Sequence, residues 1–301
     1  MILSTHGIVG SQIQSFVGLL DTYPNAAAAY SVRKLRAAYT GNAIRVRRSS
    51  DNTEQNIGFT ALGNLDTTAL TTFCSGTNGF VTTWYDQSGN GNDATQTTAS
   101  KQPQIVSSGS VINVNSKPCL QFTDSLATQL NYSTSVWTFT GNSTLFHTSR
   151  NRQTNTNYGS VIAQGGGTVN GAVGIQWQQY PSGNTQASTD IYAPSGISTT
   201  ATQSANVQYL ATFQWQNWST HRTNGNTIIA INGTNQALST YGAVNPSSLL
   251  TSPNKIGSFD GAGGQGSFLG DIQEIVIYTT ALSGTNMDGA ESNINSYYAI
   301  Y

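Results

Sequence analysis

From Phe80 to Tyr278 the chain repeats one pattern: short apolar, aromatic or β-branched runs interrupted every few positions by Asn, Gly, Ser or Thr. Such runs bounded by turn residues read as β-strands, and many of them in succession predict a sandwich or jelly roll. The strands expected are Val81–Tyr85, Cys119–Phe122, Ser143–His147, Val161–Ala163, Val173–Gln178, Tyr209–Trp215, Thr227–Ile231, Lys255–Phe259 and Asp271–Tyr278. Composition agrees. Only 8% of the 301 residues are charged, against about 25% in an average soluble protein, and amides, hydroxyls and glycine take their place. A coiled coil or charged helix bundle is excluded.

The formal net charge is −1, so no basic excess exists to neutralise nucleic-acid phosphates. No apolar run approaches the roughly 18 residues of a membrane span. The start, Met1 to Gly10, lacks a basic region, and Ser11, Gln12, Gln14 and Ser15 interrupt its apolar stretch; no signal peptide is expected. Cys74 and Cys119 are too few for a disulfide framework and read as two free, buried thiols, with a Cys74–Cys119 bridge as the alternative.

Before the strands lie three helical readings. Ile8, Val9, Ile13, Phe16, Val17, Leu19 and Leu20 recur at helical spacing up to Pro24, either a packed helix or an attachment segment. Residues 26–39 are alanine-rich, with Asn25 as N-cap and Gly41 beyond the end, and predict the best helix of the chain. A second helix is expected over Asp66–Cys74, and Ala43–Arg48 alternates as a strand before the turn Ser49–Asn52. The organisation expected is an N-terminal arm over residues 1–25 and one all-β domain over 26–301.

Three stretches carry a resemblance. Tyr30-Ser-Val-Arg-Lys-Leu-Arg-Ala-Ala-Tyr-Thr-Gly41, with Arg45 to Asp51 and Ile57-Gly58, is similar to the N-terminal half of the fungal α-L-arabinofuranosidase B catalytic domain. So is Trp84-Tyr-Asp-Gln-Ser-Gly-Asn-Gly-Asn-Asp-Ala-Thr-Gln96. Phe268 to Leu282 and Ile294 to Tyr301 resemble the closing strand and terminal helix of laminin-G-like and concanavalin-like jelly rolls. Gln102 to Val106 and Lys117 to Phe122 fit their opening strands. The resemblance implies a concanavalin A/laminin-G-like β-sandwich. The combination of start and domain also resembles bacteriophage virion proteins.

The first two stretches imply a retaining glycosidase, which needs two carboxyl groups about 5–5.5 Å apart. The family's acid/base Asp lies in a turn before the closing strand, and Ile256-Gly-Ser-Phe-Asp260-Gly matches it. The family's nucleophile is a Glu on a mid-domain strand. The matching stretch here, Ala172 to Tyr180, presents Gln176, Gln178 and Gln179, and a glutamine amide cannot attack as an anion. The family's adjacent-cysteine clamp is also absent. His6, His147 and His221 lack metal-ligand spacing, and no nucleophile elbow or phosphate loop occurs.

Asp86-Gln-Ser-Gly-Asn-Gly-Asn-Asp93 reads as a self-bonded loop, with a calcium site from Asp86, Asn90 and Asp93 as the alternative. Arg33, Lys34, Arg36, Arg45, Arg47 and Arg48 read as ion-paired, Arg33 and Arg48 with Asp51 or Glu54, or else as a patch for anionic glycans. Trp177, Gln178, Tyr180, Trp218 and Asp260 are the candidate carbohydrate contacts, because aromatic faces rimmed by amides suit a neutral sugar.

These readings lead to one expectation: a non-catalytic structural or carbohydrate-recognition module of a bacteriophage particle. It would be a homo-oligomer in the virion, contacting host glycan and other virion proteins, with no cofactor unless calcium. The alternatives are an arabinofuranosidase-like retaining hydrolase, using Asp260 and a second acid such as Asp190 or Asp271, and a bacterial surface adhesin.

Overall fold

The computed structural model describes residues 16–125, 127–133, 136, 141–153, 158–164, 173–179, 184–191, 195–216, 225–241, 254–259 and 266–301. Every strand expected from the sequence has a counterpart in a β-sandwich whose strand pairs are antiparallel.

One layer is built on the closing strand Gly270–Tyr278, buried along its whole length. On one side it pairs with Ala28–Ser31 and, further along, with Leu120–Phe122. On the other it pairs with Ser143–Asn151, which continues to Gln208–Trp215 and Ile228–Ile231. Continuous hydrophobicity in Ile275-Val-Ile-Tyr278 is what a strand covered on both faces requires. A second run of pairings joins Ile44–Arg48 to Glu54–Ile57 and Gly79–Trp84. It proceeds through Leu130–Tyr132, Asn254–Ile256 and Tyr158–Gln164 to Val173–Gln179 and Asn184–Ile191. Trp84, Trp215, Tyr30, Phe122, Phe146 and Phe213 fill the core between the layers.

The helix Gly284–Tyr298 closes the fold. Ser283 caps it by accepting from the Asn286 amide, and Met287, Ala290, Ile294 and Tyr298 form its buried stripe at helical spacing. The shorter expected helix is present as Thr67–Phe73, with the Asp66 side chain accepting from the Ala69 amide at 2.9 Å. Cys74 and Cys119 are free and buried.

The helix expected over residues 26–39 does not form. Ala28–Ser31 is a strand, in register from Ala28 opposite Ile277 to Ser31 opposite Glu274. The Asp86 loop takes up the backbone of the rest. Asp86 Oδ1 accepts from the Ala29 amide, Gln87 Oε1 accepts from the Leu35 amide, and Gln87 Nε2 donates to the Ser31 and Arg33 carbonyls. Alanine propensity is worth tenths of a kcal/mol per residue, and these tertiary partners outweigh it.

Residues 16–24 lie against the sandwich: Leu19 and Leu20 are buried, and the Leu20 amide donates to the Leu35 carbonyl at 2.8 Å. The rest of the expected arm, with Ile8, Val9 and Ile13, falls outside the described residues.

The arginines are largely ion-paired, with one partner different from that expected. Arg48 meets Asp51 at 2.6 Å and Arg45 meets Glu54 at 2.5 Å. Arg33 instead forms a two-pronged pair with Glu274 at 2.8 and 3.0 Å, under the C-terminal helix. The Glu274 side chain is 1% exposed. Ser31 and Tyr298 hydroxyls complete its hydrogen bonding.

Candidate functional site

The strand Val173–Gln179 sits between Tyr158–Gln164 and Asn184–Ile191. Its register sets Gln176 opposite Ser160 on one side and Ser188 on the other, Gln178 opposite Gln186, and Gly174 opposite Asp190. Alternate residues share a face of a pleated sheet. Gly174, Gln176 and Gln178 therefore share one with Gln186, Ser188 and Asp190. Ile175 and Trp177 belong to the other face, with Ile162 and, through Thr189, Ile197 as partners. Ile162 and Ile197 are buried, and so are Ser160 and Ser198. Trp177 and Gln178, both expected as carbohydrate contacts, are consecutive residues of this strand, paired with Ala187 and Gln186. The polar face continues to Ser198, opposite Ser188, whose hydroxyl lies 3.4 Å from that of Ser239.

A hairpin base docks beside this face. Gly257, at φ +85°, turns the chain; a side chain there would put its Cβ 2.2 Å from a Phe122 ring carbon. The Gly257 amide donates to Val161, and the Phe259 and Ser160 amides both donate to the Gly266 carbonyl. Asp260 follows Phe259 directly in the sequence. Two strand spacings, about 10 Å, separate this base from the strand carrying Gln176. Asp260 itself, like Tyr180 and Trp218, lies outside the described residues. The buried Ser160 hydroxyl has no hydrogen-bond partner among the described residues. Its place between Gln176 and the hairpin base was not legible from sequence.

The described acids are engaged elsewhere. Asp271, named in the sequence as a second acid, is buried between Arg150 and Arg152 at 2.8 and 3.2 Å, with its side chain 0% exposed. It holds two cations at the strand end and has no room for a sugar. Asp51, Glu54 and Glu274 pair with arginines. Asp66 caps a helix, and Asp21 accepts from the Gly18 and Ala37 amides. Asp124 accepts from the next backbone amide, and Glu291 from Thr212. Asp288 is exposed on the C-terminal helix. Asp190 lies on the strand Asn184–Ile191, opposite Gly174, and Asp260 lies outside the described residues.

The Asp86–Asp93 segment is a self-bonded loop. Both Asp86 oxygens accept two protein donors: the Ala29 and Ser88 amides on one, the Ser88 hydroxyl and Asn92 amide on the other. Asp93 accepts from the Asp86 amide, and the Asn90 amide group donates to the Ala26 and Ala27 carbonyls. The described residues contain no group of three or more His, Cys, Asp or Glu placed to hold a metal ion. His147 is buried and stacked on Phe213, ring centroids 5.8 Å apart; burial pushes its imidazole down to about 3.

Comparison with known proteins bears on the same region. Residues 21–119 match the family model "Alpha-L-arabinofuranosidase B, catalytic". The probable α-L-arabinofuranosidase B of Aspergillus terreus is 38% identical over 101 residues, 32% of this chain and 20% of that protein. The Aspergillus niger α-L-arabinofuranosidase B is 42% identical over 74 residues, 24% of this chain and 15% of that one. The chain thus spans about a fifth or less of the length of these relatives. Among solved structures, an arabinofuranosidase complexed with arabinofuranosyl-α-1,2-xylobiose superposes with a TM-score of 0.63 at 18% identity, covering 92% of this chain and 64% of that one. A GH54 α-L-arabinofuranosidase soaked with a cyclic sulfate inhibitor gives 0.61 at 18% identity, with 92% and 65% covered. These likenesses support the β-sandwich and correct the functional expectation. The similar proteins are fungal arabinofuranosidases and arabinofuranosidase structures, so the bacteriophage module, its virion location and its virion partners are withdrawn in favour of the hydrolase alternative.

Proposed function

We propose that this domain is a glycoside hydrolase of the α-L-arabinofuranosidase type, acting on α-L-arabinofuranosyl groups of a glycan. The observation that carries the reading is the family-model match over residues 21–119, joined to a β-sandwich shared with solved arabinofuranosidase structures. The match of Ile256-Gly-Ser-Phe-Asp260-Gly to the family's acid/base turn supports Asp260 as one of the two carboxyl groups.

In this reading Asp260 is the acid/base and Asp190 the nucleophile. Asp260 gives its proton to the departing glycosidic oxygen while an Asp190 oxygen bonds to the anomeric carbon. Asp260 then takes a proton from water, whose oxygen attacks the same carbon and releases Asp190 as carboxylate. Gln176, diagonal to Asp190, supplies amide hydrogen bonds to the sugar and no charge.

The test is turnover of an aryl α-L-arabinofuranoside. Asp260→Asn and Asp190→Asn are each expected to lower kcat by about a thousandfold, with melting temperatures unchanged. Asp124→Asn serves as the unaffected control. Absent turnover in the native protein, or full activity in Asp260→Asn, overturns the proposal.

A further inference from the structure

At the end of the closing strand away from Gly270, the start of the first strand and the Asp86–Asp93 loop enclose a cleft of roughly 530 Å³. Thr279, one of its walls, follows the closing strand at the end opposite Gly270, and the nine residues between span about 26 Å. The volume lies within the range of small-molecule sites.

Its chemistry centres on Arg36. The guanidinium carries five N–H donors. One nitrogen, Nη1, donates to the Ser88 carbonyl at 3.0 Å; Nε is buried without a partner. Among the described residues Arg36, like Arg47, has no carboxylate partner, whereas Arg33, Arg45, Arg48, Arg150 and Arg152 all do. Arg47 spends its donors on Gln102 and Asn52, while Arg36 is partly exposed and lines the cleft. Gly89 makes its seat: at φ +96°, a Cβ there would lie 3.0 Å from Arg36 Nη2. The loop beneath is rigid, because Asp86 accepts four protein donors. Asn92 Nδ2 donates to the Ala27 carbonyl, which leaves its Oδ1 to accept a hydroxyl. Pro24 and Val136 supply apolar wall, Thr279 a hydroxyl.

An anionic group held by a guanidinium, beside amide and hydroxyl partners and a small apolar surface, describes a sugar carboxylate. We propose that this cleft is a second glycan site that binds a uronic acid residue through Arg36. It would anchor an acidic polysaccharide while the catalytic site works on neutral side groups. It stands independently of the catalytic reading, because it requires binding and no turnover.

The test is calorimetric titration of the intact chain with a trigalacturonate and with its methyl-esterified, neutral counterpart. The acid form is expected to bind at least tenfold tighter, and the preference to shrink as salt rises. Arg36→Ala should erase the preference, and Arg36→Lys should keep part of it by retaining the charge. Aryl arabinofuranoside turnover reports the other site and should not move, and a cooperative thermal transition shows that each variant is folded. Equal affinity for the two trisaccharides, or a preference that survives in folded Arg36→Ala, overturns the proposal.

Discussion

Replacing Glu274 with Gln removes one charge from the most enclosed ion pair of the fold while keeping its shape. The carboxylate meets Arg33 Nε and Nη2 at 2.8 and 3.0 Å and accepts the Ser31 hydroxyl at 2.7 Å. The pair's side chains are 8% and 1% exposed, so solvent offers little compensation. Arg33 also donates to Asn293 and lies 5.1 Å from the Tyr297 ring centroid, which ties the pair to the C-terminal helix. Breaking a buried pair and leaving the partner charged costs about 3–5 kcal/mol. At about 2.1 cal/mol/K of unfolding entropy per residue, a chain this long should lose about 5–8 °C of melting temperature. Differential scanning calorimetry measures this. The double variant Arg33→Met, Glu274→Leu should recover much of the loss, because no buried charge remains. A loss below about 1 kcal/mol in Glu274→Gln, or a double variant worse than either single one, refutes the assignment of this pair as the clasp of strand and helix.

His147 is neutral in the fold and its value, about 3, lies below the unfolded 6.5. The unfolded chain therefore binds the extra proton, and stability should fall as pH drops from about 6.5 toward 3; urea midpoints of His147→Gln should show a shallower fall. Glu291 is shifted the other way, raised mainly by burial. It penalises the native state as pH rises through its folded value, so Glu291→Gln should gain stability relative to the parent at pH 8 and show no difference well below pH 4. Cys74 and Cys119 are buried, and burial pushes both thiols up; a thiol reagent should label neither in the native protein and both in guanidinium. Gly257→Ala would drive a Cβ into the Phe122 ring from a left-handed backbone; it should lower both stability and turnover, because it shifts the base of the Asp260 hairpin.

The β-architecture was legible because each buried strand carries its own signal. The closing strand reads as continuous hydrophobics, and Gly284–Tyr298 presents its stripe at helical spacing. Residues 26–39 misled because their partners are remote: Ile277, Asp86 and Gln87 hold backbone that alanine content assigns to a helix. Arg33 was assigned a near carboxylate and found one 241 residues away. The site was legible in part. Asp260 was named from its turn and lies outside the described residues, whereas the pairing of Gln176 with Ser160 and Ser188 depends on strand register and appears only in the structure. The dismissal of Asp271 needed Arg150 and Arg152, brought to it by the neighbouring strand and the residues just beyond it.

The most direct measurement is the mass of the intact protein after exposure to an arabinofuranose-configured cyclic sulfate, followed by peptide mapping. A single sugar adduct on Asp190, lost in Asp190→Asn, is the result expected of the proposed retaining hydrolase. An unmodified protein, or an adduct on a residue away from the Gly174, Gln176 and Gln178 face, contradicts it.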